Sequence, residues 1–364
     1  MIVTVITVAA LVLVFSRTFT IIWNGNINGL THEEIAEFMN GDKNIRSVAG
    51  SGYAHSQPFN TKHEVTKNRF TIGKKVLGLG EFGVVLQGTI DGETVAVKTV
   101  KAGAGKQHLH YLLSEIKILS YLGSHENLVE LRGAYTKQLI SGFAYIFLEY
   151  CALGNLEDYL RKSIMHCRQR NQGYVKFHQV EKKLITLKDL FDWSIQIAAA
   201  MEYLSEKKVI HGDLAARNVL LSNDGVAKVT DFGLSRRRNY EYVKCVSKKS
   251  ETDGPQPWRW VAIEFFHYGP FHLSLATDVW SYGVLLWEIF SLGKLPYPQY
   301  NYNEDFVKAL ENGIRLHRPE YASDLLYENI MTPCWNEDPT KRPMFCNISL
   351  KLKELQVKEG FDRG

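Results

Sequence analysis

The residues best suited to chemistry cluster between His211 and Gly233. His211-Gly212-Asp213-Leu214-Ala215-Ala216-Arg217-Asn218 follows an apolar Val209-Ile210 and precedes Val219-Leu220-Leu221, and Asp231-Phe232-Gly233 comes thirteen residues past Asn218. Asp213 can accept the proton of an incoming hydroxyl, while Asn218 and Asp231 offer hard oxygens of the kind Mg2+ prefers. A second set lies upstream. In Gly78-Leu79-Gly80-Glu81-Phe82-Gly83-Val84-Val85 a glycine triplet lets backbone amides approach a phosphate chain with no Cβ in the way. Alone, the pattern also fits any glycine-rich hairpin. Val95-Ala96-Val97-Lys98 is a strand ending in lysine, a point cation for phosphate oxygens. Glu115, within LLSEIKIL, is placed to pair with that lysine, although a surface i,i+4 charge would read the same way. In this order the parts meet the needs of phosphoryl transfer: metal against phosphate charge, a positioned nucleophile and a cradle for the nucleotide.

Elements that position these groups can be read from periodicity. Thr31-His32-Glu33-Glu34 is a capping box opening a short helix through Phe38, closed by Asn40-Gly41. Residues 42–60 are small and polar, hence a loop. From Phe70 to about Val100 the alternating runs FTIGKKVLGLG, GVVLQGTI and ETVAVKTV predict three antiparallel strands joined by glycine-bearing turns. A helix follows at Lys106 to Tyr121, then strand-like runs at Leu128 to Tyr135 and Phe143 to Glu149. Beyond Gly154 the signals turn helical. Thr186 to Asp189 is a second capping box, heading an amphipathic helix to about Lys207. Asp278 to Phe290 (DVWSYGVLLWEIF) is apolar nearly all round, the mark of a helix buried at the centre of a lobe. Residues 164–183 are polar, basic and aperiodic and read as an inserted surface loop. The class is α+β: a small β-rich lobe, then a larger helical one, with the cleft between them as the expected ligand site.

Composition narrows the field without deciding it. The 364 residues are 45% apolar and 12% aromatic, too rich in core formers for disorder. A net charge of +4 from 43 basic and 39 acidic residues argues against a dedicated nucleic-acid binder. The five cysteines (Cys151, Cys167, Cys245, Cys334, Cys346) are odd in number and scattered. They read as reduced thiols, mostly small buried hydrophobes, with no metal-ligand spacing. Met1 to Phe15 is uncharged, and Ser16-Arg17-Thr18 leads to a second apolar patch, Phe19 to Trp23. Fifteen helical residues rise only about 22 Å, short of a roughly 30 Å hydrocarbon core, whereas running on to Trp23 spans it. Arg17 can snorkel to the interface and Trp23 suits the headgroup belt. A signal peptide would want a basic start, which Met1-Ile2-Val3 lacks, and a core helix would alternate with polar positions. The expectation is a single membrane-spanning helix at 1–23, with Arg17 on the inner side.

From about Phe70 to Leu355 the chain resembles the protein kinases, with residues 24–69 as a juxtamembrane region and 356–364 as a tail. The N-lobe would run over 70–150 and the C-lobe over 151–355. The resemblance implies ATP and Mg2+, with Asn218 and Asp231 as metal ligands and Asp213, Lys98, Glu115, Arg217 and Asn218 as catalytic residues. Gly78, Leu79, Gly80 and Gly83 would cover the nucleotide, with Lys98 on its α- and β-phosphates. Val85, Ala96 and Leu220 match positions that sandwich adenine, Glu149 to Cys151 the hinge, and Leu148 the residue gating the back pocket. Leu214-Ala215-Ala216-Arg217-Asn218 is the tyrosine-kinase form of the catalytic loop. Trp258-Arg259-Trp260-Val261-Ala262 resembles the platform that favours a tyrosine phenol. SEIKILSYLGSHENLVELRGAYT and IFLEYCALGNLEDYLRK look most like receptor kinases of the platelet-derived and vascular endothelial growth factor class, which also carry an insert near 164–183. Glu264 and Arg342 resemble a buried ion pair bracing the helical lobe.

The implied activity is transfer of a phosphoryl group from ATP to protein tyrosines, with self-modification at Tyr240 or Tyr242, from a membrane-held chain with its kinase on the cytoplasmic side. Two positions depart from the family pattern. Gly212 stands where an arginine usually binds the phosphorylated activation loop, so the gain from phosphorylation is expected to be weak. Ile263 replaces the proline of Ala-Pro-Glu, which predicts a looser end to that segment. Both departures fit the alternative of a pseudokinase-like scaffold. Lys98, Glu115, Asp213, Asn218 and Asp231, all retained, oppose it.

Overall fold

The computed structural model describes residues 29–41, 57–80, 83–101, 103–170, 185–232, 258–268 and 273–360, with the backbone only over 164–170. The expected membrane span at 1–23, most of the expected insert, Glu81, Phe82, Gly233, Tyr240 and Tyr242 lie outside the described residues. Among the described residues no helix is long and apolar enough to cross a membrane. The chain divides into two compact units, one of residues up to 123 with 130–150, the other of 124–129 with 151 onward.

The first unit is built on a five-stranded antiparallel sheet: β1 Phe70–Leu79, β2 Val84–Ile90, β3 Glu93–Thr99, β4 Leu131–Gln138 and β5 Phe143–Glu149, in the order β1-β2-β3-β5-β4. Among the described residues two α-helices belong to it, α1 His32–Asn40 and α2 Lys106–Leu122. Alternation along the strands sends Val95, Val97 and Phe147 to one face, where Val65 and Tyr135 complete a core flanked by Phe70, Ile72, Ile90 and Tyr145. The rings of Phe70 and Phe147 lie 4.8 Å apart. Removing a buried ring such as Phe147 costs about 3–5 kcal/mol, so one Phe147→Ala change takes away much of a domain's margin.

Helices dominate the second unit. Among them are α3 Leu156–Arg170, α4 Leu187–Glu206, α5 Ile263–Tyr268, α6 Leu275–Phe290, α7 Glu304–Glu311 and α8 Phe345–Lys358, with a small sheet of β6 Gly154–Asn155, β7 Val219–Leu221 and β8 Ala227–Val229. Buried residues occur all round α6, as its apolar sequence requires. Its Tyr282 hydroxyl donates to the Ser194 carbonyl of α4 at 2.7 Å.

Both capping boxes form as read, Thr31 with Glu34 and Thr186 with Asp189. Two readings need correction. The run from Leu128 becomes strand only at Leu131, because Val129 belongs to the second unit and its amide bonds the Val229 carbonyl there at 3.0 Å. The expected loop at 164–183 begins as helix, since α3 continues to Arg170. Cys151 and Cys334 are buried as expected, whereas Cys346 is exposed.

Candidate active site

In the first unit the phosphate-type residues share one face of the sheet. Register sets Gly78 opposite Val85 and Val85 opposite Lys98. Ala96, two residues before Lys98, points the same way and lies opposite Leu148 of β5. Lys98 Nζ meets the Glu115 carboxylate of α2 at 2.8 Å and 2.7 Å. The Glu115 side chain is only 3% exposed, which sets aside the surface-charge reading, since a buried acid is held by its partner.

Glycine positions 78, 80 and 83 are not equivalent. A Cβ at Gly83 would stand 2.3 Å from the Thr99 carbonyl oxygen, so β3 itself demands glycine there. At Gly78 and Gly80 the nearest atoms would be 4.0 Å and 3.9 Å away. The protein has room for side chains at both, and the missing Cβ atoms leave a shallow cradle for something outside it. Leu79 between them is 72% exposed. Glu149 closes β5, its carboxylate accepting the Glu130 amide at 3.3 Å.

The second unit holds the catalytic-type loop. Both Asp213 oxygens are engaged: Arg217 Nη2 donates to Oδ1, and Asn218 Nδ2 donates to Oδ2 at 2.8 Å. Asn218 Nδ2 also reaches the Asp213 carbonyl at 2.7 Å, so its Oδ1 is the atom left to face a cation. Arg217 lies flat over the Trp260 ring, 4.5 Å from its centroid. Burial pushes the Asp213 carboxyl up to about 6, against the opposing pull of Arg217. His211, fully buried, accepts the Asp213 amide on Nδ1 at 3.2 Å and reaches the Thr230 carbonyl from Nε2 at 3.0 Å. That pattern requires a neutral ring with its proton on Nε2, and burial lowers its pKa accordingly. Asp231 has φ 65, a left-handed turn that Asp tolerates, and Phe232 behind it packs on His211 with ring centroids 5.4 Å apart. Leu220 sits in β7, between Asn155 and Lys228.

Two buried acids of α6 anchor this loop. Asp278 accepts the His211 amide at 2.7 Å and the Gly212 amide at 2.9 Å. Glu288 accepts the Ala216 amide at 3.0 Å and Trp260 Nε1 at 2.8 Å. Burial raises their carboxyls to about 6 and about 7. In the sequence Asp278 and Glu288 stand only as two acids within the apolar run 278–290. The usable signal was an acid inside an otherwise apolar helix, which implies a buried donor. Arg342 forks onto Glu264 with two bonds of 2.7 Å, as the resemblance implied. Ile263 opens α5 and is buried.

The donor set fits Mg2+. Among the described residues no group of three or more His, Cys, Asp and Glu is placed to hold a metal. Mg2+ does not need one, since it is commonly bound by one or two protein oxygens plus waters and substrate phosphates.

Residues 71–352 match the family model of protein tyrosine and serine/threonine kinases. Vascular endothelial growth factor receptor 1 of Mus musculus is 37% identical over 81% of this chain and 25% of its own length. Receptor 3 of Danio rerio is 38% identical over 78% of this chain and 23% of its own. Receptor 2 of Mus musculus is 35% identical over 81% and 25%. The chain spans about a quarter of the length of these relatives.

Proposed function

This chain belongs to the protein tyrosine and serine/threonine kinase family, and from that premise we propose that it transfers the γ-phosphoryl group of ATP to tyrosine hydroxyls on proteins. The observation that carries the reading is the Asp213 carboxylate, fixed by Arg217 and Asn218 on a loop tied at both ends to α6. In this role Asp213 orients the phenol and takes its proton, which a carboxylate can do once the oxygen begins to bond phosphorus. Arg217, stacked on Trp260, keeps the carboxylate ionised and aimed. Lys98, steadied by Glu115, binds the α- and β-phosphates, while Gly78, Leu79, Gly80 and Gly83 cover them. Val85, Ala96 and Leu220 contact adenine, and Glu149 and Cys151 bond its edge through their backbone. Asn218 and Asp231 hold Mg2+, which when bound neutralises phosphate charge.

Residues 1–23 hold the chain in a membrane with the kinase on the ATP-containing side, and Tyr240 or Tyr242 is autophosphorylated. The likeness to receptor kinases supports this placement. All five of Lys98, Glu115, Asp213, Asn218 and Asp231 are present, which opposes the scaffold reading that Gly212 and Ile263 fit. The test is magnesium-dependent ADP release by the purified protein with a tyrosine peptide, against the same peptide with serine or phenylalanine in its place. Turnover with tyrosine alone is expected. Equal turnover with serine would refute the tyrosine assignment, and none with any peptide would refute the enzyme.

A further inference from the structure

Within the second unit lies a cavity of about 540 Å³, formed where the chain leaves α6 and where it returns after α7. That size suits a small molecule or a single large side chain. Trp287, Pro298 and Leu316 supply apolar wall, and Arg161, Lys294 and Arg315 supply cations. None of the described residues that line it is acidic. Gly293, at φ 75, presses this loop against α3: a Cβ there would stand 3.1 Å from the Glu157 carbonyl oxygen. The Gly293 carbonyl accepts Arg161 Nε at 2.8 Å, and Trp287 Nε1 ties α6 to the returning chain at the His317 carbonyl, at 2.9 Å. The three cations are committed to different degrees. Arg161 is paired with Glu157 at 2.6 Å, whereas Lys294, more than half exposed, reaches Glu320 only at 3.9 Å. Arg315 gives its bonds to neutral groups, Nε to the Trp335 carbonyl at 3.0 Å and Nη1 to those of Leu310 and Ile314 at 2.8 Å. Burial lowers its pKa against the opposing pull of Tyr297 and Glu337, so an anion brought beside it would stabilise the charge. Tyr297 also lines the cavity and is 2% exposed. It holds φ 47, a conformation costly for a bulky residue and typical of ligand clamps. Its buried hydroxyl has no hydrogen-bond partner among the described residues, although Arg315 and the Leu316 amide stand near it; such a group asks for a partner from outside.

We propose that this cavity binds a phosphotyrosine side chain, its phosphate on Arg315 and Lys294 and its ring against the wall of Trp287 and Pro298. Cations with no acid among them select a doubly negative group. The aromatic and apolar wall selects a ring over the short stem of phosphoserine. The choice of this aromatic anion rests on the reading of the chain as a tyrosine kinase, which makes that group. A substrate already phosphorylated at one tyrosine is then retained on the enzyme while a second is modified.

Fluorescence anisotropy of a labelled phosphotyrosine peptide tests this, with the full chain in detergent and no ATP present. The peptide should bind at least about tenfold more tightly than the same peptide carrying tyrosine or phosphoserine, the order expected for a charge-assisted contact in a fitted pocket. Arg315→Gln should weaken it about tenfold, and Lys294→Glu about threefold because that lysine is at the exposed rim. Both variants should turn over an unphosphorylated tyrosine peptide within about twofold of the wild type, since neither residue is placed in the catalytic loop. Should Arg315→Gln fail to fold for want of its backbone bonds, Lys294→Glu carries the test alone. Equal affinity for the tyrosine or phosphoserine peptide, competition by inorganic phosphate at the same concentration, or unchanged affinity in Lys294→Glu would overturn the site. Binding that follows these variants in a chain that transfers no phosphate would refute the kinase reading and leave the cavity's ligand standing.

Discussion

Gly212 changes meaning once its backbone is known. In the sequence it is the loss of a cation that binds a phosphorylated loop. In the structure it adopts φ 76 and donates its amide to Asp278 at 2.9 Å, between two residues that carry chemistry or anchor it. A side chain there stands in the left-handed region, which costs about 1–2 kcal/mol for a residue other than glycine. Gly212→Ala and Gly212→Arg should therefore each lower the urea-unfolding free energy by about 1 kcal/mol or more. The alanine variant measures the backbone cost, so any larger phosphorylation gain in the arginine variant can be credited to its charge. Two variants as stable as the wild type would mean that the loop does not need this conformation. The glycine triplet carries the same lesson: Gly83 is required by the Thr99 carbonyl, whereas Gly78 and Gly80 are spared by the protein. Spacing alone could not separate those two reasons.

At the scale of elements, α6 sets the geometry of the catalytic-type loop through two buried carboxyls. A carboxyl whose pKa is higher in the fold than in the unfolded chain binds its proton more tightly when folded. Its contribution is complete below the unfolded value and is lost as pH rises through the folded one. For Glu288 that window runs from about 4.5 to about 7. Glu288→Gln should remove this dependence. Relative to the wild type, the variant should gain up to about 3 kcal/mol of unfolding free energy between pH 4.5 and pH 7, as read by urea titrations at several pH values. A deficit that grows with pH would show that the ionised form is the stabilising one. Strand alternation, the two capping boxes and the all-apolar α6 were legible because each depends on neighbours within one element. The anchors were not, since His211 and Asp278 lie 67 residues apart in the chain. Periodicity misplaced the start of β4 for a related reason: Leu128 and Val129 are buried like strand residues but belong to the other unit.

For the whole molecule, the division into a β-rich and a helical unit was readable from the change of period near Gly154. The Lys98–Glu115 pair was readable only because the other motifs accompanied it. The segment at 29–41 shows the limit of sequence reading. Its capping box marked a helix, but nothing local indicated that the helix would lie on α2, where Glu34 pairs with Lys106. The membrane expectation belongs at this scale too. Full-length chain should stay in the pellet after alkaline carbonate extraction, while a chain lacking residues 1–23 should be soluble and as active as the parent. Release of the full-length protein by carbonate would contradict the span.

Asp213 is the residue on which the proposed chemistry turns, and Asp213→Asn is its most direct test. The change keeps the side chain's shape but removes the base, and Asp213 is not among the groups proposed to hold ATP or Mg2+. ADP release with a tyrosine peptide should fall at least about a hundredfold, the order expected for loss of a general base, while ATP binding by equilibrium titration stays within about twofold of the wild type. Asp213→Asn enzyme that turns over a tyrosine peptide at the wild-type rate would contradict the mechanism.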